Sequence, residues 1–179
     1  MERKNSIRGL IFRYLLLVLV AMIGFKIFYF IFLPLTIYPL YFLFKIFLEI
    51  NLVGNVFFIG NLSIGIIGAC VAGSAYSLLF ILNLSIPNVK ISKRLKMIGF
   101  SFGIFFLINI LRIFVLSLMY VTDSSWFEIA HKLFWYLGST LFVILIWFWE
   151  VYLFKIKSVP IYTDLKHLYL KSYFGKRKK

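Results

Sequence analysis

One cysteine, Cys70, stands in a chain of 179 residues. A single thiol excludes an internal disulfide. It also cannot run a dithiol–disulfide relay alone, which argues against a quinone-linked thiol oxidase. The chain has no paired-cysteine metal spacing, no P-loop and no H-E-x-x-H. Acids are scarce as well, six against twenty Lys and Arg, and none forms a DDxxD-type pair. That shortage ranks a membrane acyl- or prenyl-transferase last, because metal–diphosphate chemistry needs carboxylate clusters. No cofactor and no metal are expected.

What is abundant is apolar surface. Hydrophobic residues make up 63% of the chain, against about 45–50% in a soluble domain, and the mean hydropathy is +0.97. The chain belongs in lipid. The formal charge of +14 suggests nucleic acid at first sight. The basic residues, however, cluster at three places beside apolar runs, a pattern of membrane topology and anionic-lipid contact. No nucleic-acid partner is expected.

The fold class expected is an all-α integral membrane protein, a bundle of about four to six transmembrane helices with an interfacial helix. Residues 1–179 read as a single membrane domain, with a core at about 55–154 and a basic cytoplasmic tail at 155–179. Met1–Arg8 is a basic tail, and Gly9–Leu33 is a first crossing, too long for a signal peptide and so a retained anchor. Pro34–Asn55 holds two prolines, Lys45 and Glu49, and reads as a helix lying in the interface, with a shallow span as the alternative. Val56–Ser63, with Gly54, Asn55, Gly60 and Asn61 as breakers, is a short irregular or extended link. Ile64–Ile86, Met97–Tyr120 and Ile129–Phe154 are the further crossings. Between them lie a basic loop (Lys90, Lys93, Arg94, Lys96) and an acidic one, Thr122–Glu128.

The positive-inside rule puts both termini and the basic loop in the cytoplasm, which requires an even number of crossings. With four, Cys70 falls near the outer end of the second. Arg112 falls in the outer half of the third, about 12 Å below Tyr120 at 1.5 Å per residue. His131 opens the fourth. Three residues with chemistry to offer thus reach one depth below the outer surface of a cell membrane, while His167 lies in the cytoplasmic tail.

The roles follow from residue type. Cys70, expected near a helix N-terminus, gains the dipole and free N–H groups that stabilise a thiolate. Gly65, Gly68, Ala69, Ala72, Gly73 and Ser74 around it are small, which allows close helix packing and leaves room for a substrate chain. Arg112 lies within an apolar run and needs a partner or a wet cavity. It cannot lose its proton, so its use is electrostatic, for a thiolate or a developing oxyanion. Asn109, three residues earlier on the same face, could orient it. His131 would shuttle protons. The alternative reading is a non-catalytic multi-pass assembly factor or transporter subunit, with Arg112 structural.

From about Asn55 to Gly138 the chain resembles the exosortase/archaeosortase family of membrane cysteine transpeptidases. The resemblance rests on Ala69-Cys70 opening a small-residue helix, a basic loop, Asn109-Ile110-Leu111-Arg112, and His131 with Gly138 seven residues on. It departs from the family in having Gly73 one place later than the usual glycine, and Gly68 where bacterial members often have an acid. The resemblance implies that Cys70 is the nucleophile, His131 the general acid/base and Arg112 the stabiliser; Asn109, Gly73 and Ser74, read from their places beside these residues, are expected to bind or orient substrate. It implies surface-protein precursors with a C-terminal sorting tail as partners. Such a tail has a short motif, a transmembrane helix and a basic cluster. It is cut through an acyl-enzyme, and the protein passes to a lipid or envelope acceptor.

Overall fold

The computed structural model describes residues 7–86 and 89–156; the N-terminal basic tail before residue 7, Pro87–Asn88, His167 and the basic tail from residue 157 lie outside them. The described chain is mostly helical. It contains three helices long and apolar enough to cross a membrane, namely Ile23–Phe47 within α1, Gly68–Ser85, and Ile91–Val121. A further helix, Ser139–Leu153, is apolar but shorter.

Helix α1 runs unbroken from Ile7 to Phe47. The expected interfacial helix at Pro34–Asn55 is therefore not a separate element: its first fourteen residues continue α1 through Pro34 and Pro39. Proline removes one ladder hydrogen bond, and an apolar helix flanked by neighbours absorbs that loss. Leu40 and Phe44, one turn apart beyond the prolines, are fully buried, and this packing holds the continuation in place.

After α1 the chain makes a three-stranded antiparallel sheet where a short irregular or extended link was expected. Its strands are β1 (Asn51–Val53), β2 (Val56–Ile59) and β3 (Leu62–Gly65), in that spatial order. Val53 pairs with Val56 and Ile59 with Leu62, so each turn has two central residues, Gly54-Asn55 and Gly60-Asn61. In each the glycine takes the positive φ (64° and 56°), the first-position demand of a type II′ hairpin. Phe57 of β2 is fully buried against Phe44, which also contacts Phe114. The sheet is thereby anchored on the ends of α1 and α4.

The expected second crossing is interrupted. Helix α2 (Gly68–Val71) ends at Ala72, which is left-handed at φ 55°, and α3 (Gly73–Ser85) starts there. A non-glycine residue in that region costs on the order of 1 kcal/mol or more, and surrounding packing must impose it. Ile66 and Val71 supply that packing, both fully buried in the core with Leu40, Phe44 and Phe57. Helix α3 lies against α1, where Phe32 stacks on Tyr76 at 3.7 Å. Gly73 makes this approach possible. A Cβ there would lie 3.0 Å from the Phe25 carbonyl oxygen and 3.1 Å from the Tyr29 nitrogen, both main chain. Gly73→Ala is therefore expected to force α1 and α3 apart and destabilise the fold by about 1–3 kcal/mol. Unfolding in mixed detergent micelles would measure it, and an unchanged midpoint would refute the close approach.

Helix α4 (Ile91–Val121) returns antiparallel to α3. Arg94 in its first turn donates to the carbonyls of Asn83, Leu84 and Ile86, satisfying orphan acceptors at the end of α3. A residue of the expected lipid-facing basic loop thus serves as a helix cap. The last helical stretch comprises α5 (Phe127–Leu133), a π-helical turn (Phe134–Gly138) and α6 (Ser139–Leu153).

Candidate active site

Cys70, Arg112 and His131 line one open cavity of about 720 Å³. Its wall includes the unbroken run Ser63–Cys70, with Ser74 from α3, Tyr120 from α4, and Phe127, Trp135 and Ser139 from the last helical stretch. The volume lies within the range of ligand pockets.

Cys70 is the third residue of a four-residue helix, and its own N–H is spent on the Ile67 carbonyl at 2.9 Å. The expected stabilisation by a long helix N-terminus is thus absent, since one turn sums few peptide dipoles. Side chains of α4 make polar contacts with this turn. Arg112 Nη2 donates to the Cys70 carbonyl at 3.3 Å and to that of Ala69 at 3.4 Å, and Nη1 donates to Ser139 Oγ at 2.9 Å. Asn109 Nδ2 donates to the same Cys70 carbonyl at 2.9 Å. Two side chains one turn apart on α4 thus grip the carbonyl of the half-buried cysteine. Asn109 orients the cysteine main chain; no hydrogen bond to Arg112 connects the pair among the described residues. Arg112 Nε is buried with no hydrogen-bond partner among the described residues.

His131 lines the cavity from α5. It is exposed, stacked on Phe127 at 5.4 Å and edge-on to Trp135 at 5.9 Å. No hydrogen bond joins it to Cys70 or Arg112 among the described residues. The π-helical turn follows three residues later, the kind of irregularity found often at functional sites. On the exposed face of α5, Lys132 donates to Glu128 at 2.9 Å. The pair is exposed, so its contribution to stability is small.

Gly73 and Ser74 separate. Ser74 is exposed and lines the cavity, whereas Gly73 is buried at the α1–α3 contact and does not. A G-x-S-x-G run, Gly99 to Gly103, also occurs within α4. Its Ser101 is fully buried in mid-helix and donates back to Met97 and Ile98, so it lacks the strand-to-helix elbow that exposes a serine nucleophile.

Sequence reading missed a second polar cluster. Glu150 of α6 is fully buried and accepts from Asn83 Nδ2 at 3.0 Å; Asn83 Nδ2 also approaches Ser101 Oγ at 3.4 Å. Glu150 Oε1 and Asn83 Oδ1 have no hydrogen-bond partner among the described residues. The signal was an acid inside an apolar run, Trp147-Phe148-Trp149-Glu150-Val151, which ordinarily marks a bundle-facing position.

No protein-family model, curated protein or solved structure matches this chain.

Proposed function

We propose that this protein is a membrane-embedded cysteine transpeptidase or protease acting on the C-terminal sorting tail of surface proteins. The observation that carries the reading is the shared cavity of Cys70, Arg112 and His131, with Arg112 bonded to the main chain of the cysteine. The strained Ala72 two residues later adds to it, since such conformations cluster at functional sites. Four crossings, with the helical stretch 127–153 as the fourth and both termini cytoplasmic, would set this cavity near the outer face.

In the proposed reaction the Cys70 sulfur attacks the scissile carbonyl carbon, forming a thioester as the C–N bond breaks. His131 takes the thiol proton and returns it to the leaving amine. Arg112 supplies the fixed positive charge beside the developing oxyanion. An acceptor nucleophile of a lipid or envelope component then attacks the thioester and frees the thiol. The exposed His131 must swing toward Cys70 when substrate fills the cavity, a tightening common between free and bound sites.

The test compares membrane proteins from wild-type and Cys70→Ala cells by mass spectrometry of their C-termini. Precursors retaining a helix and basic tail are expected to accumulate only in the variant. Identical C-termini in both samples would favour the non-catalytic scaffold.

A further inference from the structure

The reaction above leaves one feature unused, the outer edge of the sheet. We propose that the open edge of β3 is the docking rail of the substrate, an extended peptide that adds as a fourth strand and is led along it to Cys70. The proposal rests on the transpeptidase reading.

The hydrogen-bond phase of β3 follows from its register. In an antiparallel pair, alternate residues exchange main-chain bonds with the partner strand, and the residues between them point their N–H and C=O groups the other way. Ile66 N–H donates to the Asn55 carbonyl at 2.8 Å, which fixes the phase. Counting back through the pairing of Phe57 with Ile64 and Ile59 with Leu62, residues 62, 64 and 66 face β2. Ser63 and Gly65 therefore turn their N–H and C=O groups to the open edge. Both are exposed, and β3 is a terminal strand of the sheet.

The edge leads directly to the thiol. Every residue from Ser63 to Cys70 lines the cavity, whereas no residue of β1, the other terminal strand, does. Edge strands are ordinarily blunted by Lys, Pro or a bulge. The sequence Leu62-Ser63-Ile64-Gly65 carries no Lys or Pro, and its pairing with β2 runs without a bulge. At Gly65 a side chain would meet only Val56 Cγ2, at 4.0 Å, so the sheet face beside the edge has room for a probe there.

The occupant these groups fit is a peptide. A lipid acyl chain could fill the apolar volume, but it offers nothing to two outward N–H groups and two outward carbonyls. An extended peptide presents matching groups at the same two-residue repeat, the basis of recognition by strand addition.

Ser63→Pro and Gly65→Pro each delete one outward N–H and no bond to β2, a placement proline tolerates in an edge strand. The readout is the level of those precursors that accumulate in Cys70→Ala cells, with membrane abundance and N-ethylmaleimide labelling of Cys70 reporting an intact site. Each variant is expected to slow processing about tenfold at normal labelling, the effect of one unsatisfied main-chain hydrogen bond. Normal processing in both would overturn the rail. Should the prolines prevent accumulation of the protein, a benzophenone side chain in place of Gly65, in the Cys70→Ala background, decides the matter. Photocrosslinks to the precursor support strand addition, and crosslinks to lipid alone, or none, overturn it. A Cys70→Ala strain in which no precursor accumulates overturns the transpeptidase reading itself, and the rail with it.

Discussion

Arg112→Ala is expected to slow precursor processing by about 10²- to 10³-fold, the range for losing a main stabiliser of an oxyanion. Two functions disappear together in that variant. One is the fixed charge in the cavity. The other is the bridge from α4 to the Ala69 and Cys70 carbonyls on one side and to Ser139 on the other. Arg112→Lys separates them. Lysine keeps the charge but lacks the planar fork that reaches both sides at once, so it should recover only part of the rate. Asn109→Ala removes the other donor to the Cys70 carbonyl and leaves the charge, and about a tenfold loss is expected. Pulse-chase rates, normalised to membrane abundance, would measure all three. A wild-type rate in Arg112→Ala would end the transpeptidase proposal.

Asn83→Leu is expected to have the largest effect on stability, about 3 kcal/mol of destabilisation. It removes the side chain that donates to Glu150 Oε2 and leaves a fully buried carboxyl without that bond. Removing both partners should cost less than removing one, because apolar groups at the two positions leave nothing unsatisfied. The double variant Asn83→Leu/Glu150→Leu is therefore expected to recover much of the loss, a coupling that a double-mutant cycle isolates. Glu150→Gln keeps an acceptor for Asn83 Nδ2 and adds donors that can serve the unpartnered Asn83 Oδ1. Its stability should stay within about 1 kcal/mol of wild type. Reversible unfolding in mixed micelles reads these values, and strict additivity of the two leucine substitutions would show that the contact contributes nothing.

Particular residues show where sequence reasoning reached and where it stopped. The apolar run at Ile91–Val121 was legible because length and hydropathy are properties of the chain itself, whereas the first crossing, read at Gly9–Leu33, lies at Ile23–Phe47. The sheet carried a signal that was read as an irregular or extended link with breakers, not as paired strands. Gly54-Asn55 and Gly60-Asn61, six residues apart with short apolar runs between and after them, are two-residue hairpin dipeptides. Pro34 and Pro39 pointed to a helix end, yet burial of Leu40 and Phe44 carries α1 past them. Local propensity yields there to packing against residues far along the chain.

The break at Ala72 had no sequence signal, because alanine is the best helix former. It exists because Ile66 and Val71 are both drawn into one core, while Gly73 must meet the main chain of α1. The sequence by itself determined that the chain is apolar enough for a membrane, and it named Cys70, Arg112 and His131 as the residues with chemistry to offer. Those statements rest on residue type and on distance along the chain. Only the tertiary structure decided that Cys70 sits on an isolated turn at the end of a strand, and that Arg112 and Asn109 share its carbonyl. It alone decided that Glu150 is buried against Asn83. Each of these depends on long-range packing, which no local pattern of residues encodes.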